Sequence, residues 1–189
     1  MPTREELKSL QALPLEHKII ITQMRIREFI AHYGEDNVCV SFSGGKDSTV
    51  LLHIIREMYP TIKAVFFDTG LEYPEIRNFV KTFDNVDFVR PKMTFAEIVT
   101  KYGYPLFSKE VANIINCARI NTGKTHTQRR KQLTGQYFTA DGEKSMFNKE
   151  KYLECCKKLP FLISDRCCTV MKKSPSHKYC RMGGGWLSL

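Results

Sequence analysis

The chain has 189 residues, of which 42% are hydrophobic and 26% charged, as is ordinary for a globular protein. No stretch approaches the roughly 18 apolar residues of a membrane-spanning helix, and the N-terminal MPTREELKSLQ lacks the apolar core of a secretion signal. We therefore predict a cytoplasmic protein with no membrane contact, forming a single domain over residues 1–189. The formal net charge of +9 is uneven, because residues 119–189 hold 15 Lys and Arg against 5 Asp and Glu. This excess predicts an anion-attracting surface.

The first 120 residues alternate between helical and strand-like patterns. Apolar residues at helical spacing predict a helix over Leu15–Tyr33, ended by Gly34. Strands at 38–42, 63–68 and 87–90 are then predicted to alternate with helices at 47–59 and 74–83, with a helix that starts at the capping box of Thr94 and Glu97, and with a helix at 108–120. The alternation predicts an α/β fold of three layers, with a mostly parallel twisted sheet and helices on both faces.

The pattern changes after residue 120. Residues 121–150, NTGKTHTQRRKQLTGQYFTADGEKSMFNKE, have no clear period and are rich in Thr, Gly and basic residues, so we predict a basic insertion or mobile arm over about 121–151. A helix at 149–159, a strand at 161–164 and a basic helix through Lys173 follow. The glycine triplet near the end predicts a frayed tail over about 181–189.

Residues 40–52, VSFSGGKDSTVLL, form the densest group of anion-binding residue types in the chain. The spacing fits neither a Walker loop nor a dinucleotide fingerprint. The candidates for contacting a phosphate are Ser41, Ser43, Gly44, Gly45, Lys46, Asp47 and Ser48. Two glycines allow a close backbone approach, the start of a helix offers N–H groups, and the lysine adds a charge. The aspartate either caps the helix or helps to hold a Mg²⁺ ion that bridges phosphates.

Two motifs carry a resemblance to a known family. The segment SGGKDS resembles the PP-loop of the ATP pyrophosphatase (adenine nucleotide alpha hydrolase-like) superfamily, and VFFDTGLEYPEI, residues 65–76, is similar to the second motif of the phosphoadenosine phosphosulfate reductase family. The resemblance implies that an adenine nucleotide, ATP or phosphoadenosine phosphosulfate, binds with Mg²⁺ and that Lys46 and Asp47 act in catalysis. It also implies that the second loop lines the nucleotide site through Asp68, Thr69, Gly70 and Glu72.

Seven cysteines include the doublets at 155–156 and 167–168. The segment RCCTVMKKSP is similar to a Cys-Cys segment of several family branches, and in the iron–sulfur branches such a doublet supplies two cluster ligands. This chain has no Cys-x-x-Cys pair to supply the others. Two alternatives follow for Cys167 and Cys168: ligands of an iron–sulfur cluster or a zinc ion, or unligated thiols in a basic setting, which the missing pair favours.

The sequence leaves three functions open. The first is an enzyme of the phosphoadenosine phosphosulfate reductase family that acts at the phosphate or sulfonyl end of the nucleotide. Its reductase activity is doubtful, because the family's Glu-Cys-Gly tail motif is absent from KYCRMGGGWLSL. The second is an ATP pyrophosphatase that adenylates an acceptor such as a nucleic-acid base, and the third is a non-catalytic nucleotide-binding protein. The basic C-terminal half, with Arg129, Arg130 and Lys131, either meets a nucleic acid or an acidic partner or is solvated surface. The oligomeric state stays open.

Overall fold

A computed structural model describes residues 3–120, 123–182 and 187–188 of the chain. Contacts between residues divide the chain into two compact units, the first made of residues 1–90 and 175–189 and the second of residues 91–174. The assignment of residues 1–189 to one domain stays a prediction.

The first unit is built on a parallel sheet. Its helices are α1 (Arg4–Ala12), α2 (Leu15–Tyr33), α3 (Lys46–Met58), α4 (Pro74–Val80) and α10 (Ser174–Met182), and its strands are β1 (Val38–Ser41), β2 (Lys63–Phe67), β3 (Val86–Val89) and β4 (Leu187–Ser188). The strands lie in the order β3-β2-β1-β4, and each neighbouring pair is parallel. Val40 pairs with Ala64, and Phe66 pairs with Phe88.

Helices cover both faces of this sheet. Val40 and Phe66 belong to a buried cluster that also contains Ile30 of α2 and Ile55 of α3. Successive side chains on a strand point to opposite faces of the sheet, so Phe67 points away from the face that Phe66 covers. Its ring packs against the Tyr179 ring of α10, with the ring centroids 6.5 Å apart. Such burial on both sides explains why the strands are continuously apolar. The predicted α/β fold with a parallel sheet and helices on both faces is therefore confirmed.

The second unit is mainly helical. Its helices are α5 (Phe95–Tyr102), α6 (Lys109–Ile120), α7 (Gly123–Leu133), α8 (Leu153–Lys158) and α9 (Arg166–Cys168). A single turn of π-helix, Thr169–Lys173, follows α9. The core of this unit joins α6 to α7 and to residue 163, and contains Val111, Ala112, Ile114, Ile115, Leu133 and Ile163. The capping box of Thr94 and Glu97, predicted from the sequence, is present at the start of α5.

Several elements differ from the sequence predictions. Helix α1 was not predicted, and α7 lies inside the segment predicted to be an aperiodic arm. The α7 sequence GKTHTQRRKQL contains one apolar residue, Leu133, which packs against α6. With a single apolar residue the segment shows no helical period, so the sequence did not predict this helix. The predicted strand 161–164 is reduced to one bridge, between Ile163 and Tyr104.

The predicted frayed tail is partly structured. Leu187–Ser188 pairs with β1, whereas residues 183–186 and 189 lie outside the described residues, as do residues 121–122 of the predicted arm. Across the described ranges, each helix is too short or too polar to cross a membrane.

Candidate functional site

The SGGKDS loop joins the carboxyl end of β1 to the amino end of α3. Ser41 ends the strand, Gly45 is the N-cap of α3, and Lys46 and Asp47 open its first turn as exposed residues. The amide N–H groups of the first helical turn have no partner within a helix, and those of residues 46–48 have none elsewhere in the described part of the chain. The turn therefore offers several N–H donors and one ammonium group to an anion.

Serine hydroxyls fix the shape of this loop. The Oγ atoms of Ser43 and Ser48 lie 2.9 Å apart, and the Ser48 hydroxyl donates to the carbonyl oxygen of Gly45 at 3.0 Å. The amide of Gly45 donates to Ser43 Oγ at 3.4 Å, which closes the network. The hydroxyls of Ser43 and Ser48 therefore hold the turn, while Ser41 is exposed at the end of its strand.

Gly44 is required by the packing of the loop. Its φ of +71° is in the left-handed region, and a Cβ atom there would lie 2.8 Å from Val80 Cγ2 and 2.9 Å from Ile76 Cγ2. Both neighbours belong to α4, the helix that follows the second motif. The absence of a side chain at this position thus lets the loop pack directly on α4.

Asp68 holds the second loop together from a buried position at the end of β2. Its side chain is 3% exposed. Oδ1 accepts from the amide of Gly70 at 3.1 Å, and Oδ2 accepts from Arg77 Nη2 at 2.8 Å and from Arg90 Nε at 3.2 Å. Burial by itself raises the pKa of this carboxyl group, but the Gly70 amide and the two arginines outweigh it and lower the pKa below its ordinary value.

Thr69 and Glu72 form a second internal pair in the same loop. The amide of Thr69 donates to Glu72 Oε2 at 2.9 Å, and the Thr69 hydroxyl donates to Oε1 at 2.7 Å. The Glu72 carboxylate therefore shapes the loop. Of the three acidic site candidates Asp47, Asp68 and Glu72, Asp47 alone has no partner in the described part of the chain.

The two arginines of this cluster were not predicted from the sequence. Arg77 lies on α4 and Arg90 directly follows β3, and the side chain of Arg90 is 72% exposed. The position of Arg90 at the end of a predicted strand was the one sequence feature that could have indicated a role for it. The contact of both arginines with Asp68 could not be predicted, because it depends on the order of the strands in the sheet. Their two charges exceed that of the aspartate, so the loop carries a net positive charge at this point.

The two loops follow the carboxyl ends of neighbouring parallel strands. In open α/β sheets, ligands bind outside these ends, at the point where the strand order reverses. Here that point is β1, because β2 and β3 lie on one side of it and β4 on the other. The structure therefore brings together the SGGKDS loop, the loop of residues 68–72 and Arg90 at one end of the sheet.

A family model described as "Phosphoadenosine phosphosulfate reductase domain" matches residues 37–135, which is more than half of the chain and includes both loops. The chain belongs to this family. Among its relatives, an uncharacterized protein of Methanocaldococcus jannaschii is 30% identical over 118 residues, covering 59% of this chain and 27% of that protein.

Two further relatives of this phosphoadenosine phosphosulfate reductase family member have descriptive names. An adenosine 5′-phosphosulfate reductase of Streptomyces coelicolor is 29% identical over 113 residues, covering 57% of this chain and 47% of the relative. A phosphoadenosine 5′-phosphosulfate reductase of Xylella fastidiosa is 29% identical over 82 residues, covering 43% of this chain and 34% of the relative. The chain thus spans between about a quarter and half the length of these curated relatives.

The cysteine doublet of the family member lies in the second unit. Cys167 and Cys168 are half-buried, and Cys168 Sγ lies 3.8 Å from Lys109 Nζ, a contact that the sequence did not reveal. No group of three or more His, Cys, Asp or Glu residues in the described ranges is placed to hold a metal ion. An iron–sulfur cluster or a structural zinc ion takes four ligands, and the described residues do not provide such a set around Cys167 and Cys168. Metal binding by these two cysteines stays a prediction.

Proposed function

We propose that this chain is an enzyme that binds an adenine nucleotide and acts at its phosphate or sulfonyl end. The phosphates would lie at the first turn of α3, with Ser41, Ser43, Gly44, Gly45 and Ser48 around them. The loop of Asp68, Thr69, Gly70 and Glu72 would line the same site. The relatives named as adenosine phosphosulfate and phosphoadenosine phosphosulfate reductases support this substrate class.

The observation that carries the proposal is the set of uncompensated donors at the start of α3. Lys46 is exposed and has no carboxylate partner in the described part of the chain, and the neighbouring amides are free. A phosphate or sulfonyl oxygen would satisfy these donors, and Lys46 would stabilise negative charge that develops there during the reaction.

Asp47 is the residue that would hold a magnesium ion. Its carboxylate is exposed and unpaired, whereas Asp68 and Glu72 are occupied by internal hydrogen bonds. Mg²⁺ prefers oxygen ligands and is commonly held by one or two carboxylates together with the phosphates of a substrate. A bound ion would neutralise part of the negative charge on the phosphates. The proposal includes no reductive step, because neither loop contains a cysteine.

A second candidate is an ATP pyrophosphatase that adenylates an acceptor. The unpaired Asp47 favours it, since the β- and γ-phosphates of ATP are usual partners of a carboxylate-held Mg²⁺. For either function we propose a cytoplasmic location, which the seven free thiols favour because reducing compartments keep cysteines unpaired.

Calorimetric titration with ATP, adenosine phosphosulfate and phosphoadenosine phosphosulfate tests these functions, followed by analysis of products. Preferred binding of a phosphosulfate without pyrophosphate release supports the first, and pyrophosphate release from ATP supports the second. Binding without turnover identifies a non-catalytic nucleotide-binding protein. Absence of saturable binding of all three nucleotides, or unchanged binding by both Lys46→Ala and Asp47→Ala, would overturn the proposed site.

A further inference from the structure

We propose that the second unit binds single-stranded nucleic acid in a groove beside α7. The groove has a volume of about 460 Å³ and lies between α7 and the segment that follows it. We call it the α7 groove, and its lining includes Lys124, Gln128, Lys131, Gln136, Tyr137 and Phe138. It shares no residue with the SGGKDS loop, so this inference does not rest on the proposed nucleotide site.

The α7 groove carries uncompensated positive charge. Lys124 and Lys131 are seven residues apart, which places them on one face of the helix about 10.5 Å apart along its axis. Neither has a carboxylate partner in the described part of the chain, and no Asp or Glu lines the groove. Two lysines on one helix face can each contact a phosphate of the same extended strand, as point charges.

Two aromatic rings lie beside these lysines. Phe138 is 55% exposed, although a phenyl ring gains nothing from contact with water. Tyr137 is fixed against α7, because its hydroxyl accepts from Gln128 Nε2 at 2.9 Å. Its backbone is fixed too, since its amide donates to Asn148 Oδ1 at 3.2 Å and its carbonyl accepts from the amide of Ser145 at 3.0 Å.

The turn between α7 and the rings is held in one shape. The amide of Gln136 donates to the carbonyl of Lys131 at 2.8 Å, and Gly135 has a φ of +73°. A Cβ atom at Gly135 would collide with the Glu150 carboxylate, which is itself paired with Lys144 at 2.6 Å. The rings are therefore presented by a hydrogen-bonded framework, so little ordering entropy would be lost when a ligand stacks on them.

These features together favour a single strand over other anions. A positively charged groove with exposed aromatic rings is the arrangement on which unpaired bases stack while their phosphates meet cations. In a duplex the base faces are stacked on one another and do not reach such rings. An acidic peptide would use the lysines but would leave Phe138 without a partner.

The test is fluorescence anisotropy of the full chain with labelled oligo(dT) and oligo(U) of about 12 nucleotides, within the usual range of single-strand sites. A series of salt concentrations gives the slope of log affinity against log salt, and the two probes distinguish DNA from RNA. We expect either single strand to bind more tightly than a duplex of equal length. The chain carrying Lys46→Ala should bind the oligonucleotide unchanged, which separates this site from the nucleotide site.

Variants identify the groove. Phe138→Ala should weaken binding about tenfold, the loss typical of one stacked base. Lys124→Gln and Lys131→Gln should each lower the magnitude of the salt slope by about one. Lys158→Gln, an exposed lysine outside the groove, is the matched control and should leave the slope unchanged.

The absence of saturable binding would overturn the proposal. Unchanged affinity of Phe138→Ala, or an equal loss of slope in Lys158→Gln, would do the same. Competition by polyglutamate as strong as that by the unlabelled oligonucleotide would also overturn it and would identify an acidic peptide as the partner.

Discussion

Lys46 and Asp47 are the charged side chains of the SGGKDS loop, and both are exposed. We expect Lys46→Ala to weaken nucleotide binding about tenfold or more, because a hydrogen bond to a charged group contributes about 1.5–3 kcal/mol. We expect Asp47→Ala to weaken binding in the presence of Mg²⁺ by about the same factor, because the ion would lose its carboxylate ligand. Titration of each variant with the preferred nucleotide measures the loss. The exposed Lys81 at the end of α4 provides the control, Lys81→Ala. Titration curves that match the unsubstituted chain for both variants would remove the loop from the site.

Asp68 is the buried counterpart of these exposed charges. Asp68→Asn should destabilise the first unit by about 1.5–3 kcal/mol at neutral pH, since two arginines lose their charged acceptor. The folded pKa of this group is lowered, so its stabilising contribution is present above the unfolded pKa of about 3.9 and is lost as the pH falls through the folded value.

The difference in unfolding free energy between the unsubstituted chain and Asp68→Asn should therefore shrink below about pH 4. Denaturant unfolding at neutral and acidic pH measures it. A difference that stays constant across this range would mean that the arginines do not stabilise the ionised carboxylate.

At the scale of elements, the contact between the SGGKDS loop and α4 depends on Gly44. Gly44→Ala should destabilise the fold by about 1–3 kcal/mol more than Gly70→Ala, because inserting a methyl group into packed side chains costs this amount. Both glycines have positive φ, but a Cβ atom at Gly70 would meet nothing within 4 Å. The pair thus separates packing from backbone strain. Thermal or denaturant unfolding measures both, and equal losses would show that α4 yields to the added methyl group.

At the scale of the whole molecule, Cys39 reports on the unfolding of the first unit. It lies on β1 with 1% exposure, and burial raises the pKa of its thiol to about 12, with a further contribution from Cys180. We expect Cys39 to react with iodoacetamide at neutral pH only through unfolding, because the thiolate is the reactive form. The exposed Cys155 is the internal control and should react quickly.

Mass spectrometry of tryptic peptides gives both alkylation rates, and denaturant should raise the rate at Cys39 much more than the rate at Cys155. Equal rates at the two cysteines under native conditions would mean that the sheet opens locally at β1.

The sequence by itself determined the local features of this protein. The β-α alternation, the capping box of Thr94 and Glu97, and the SGGKDS turn between a strand and a helix were all predicted, and the structure contains them. Each depends on residues that are close along the chain, through apolar periodicity, side-chain caps and glycine turns. The residue types of the SGGKDS loop predicted an anion-binding turn for the same reason.

Only the tertiary structure decided which distant residues meet. The strand order β3-β2-β1-β4 brings Arg90 to the Asp68 carboxylate, and that carboxylate is thereby occupied and buried. Burial against α6 makes a helix of the polar segment α7, whose sequence has no apolar period. Packing between residues that are far apart in the sequence determines both the Arg90–Asp68 contact and the helix α7. The role of a charged residue likewise depends on the partner that the fold places beside it, so local sequence pattern alone could not predict either feature.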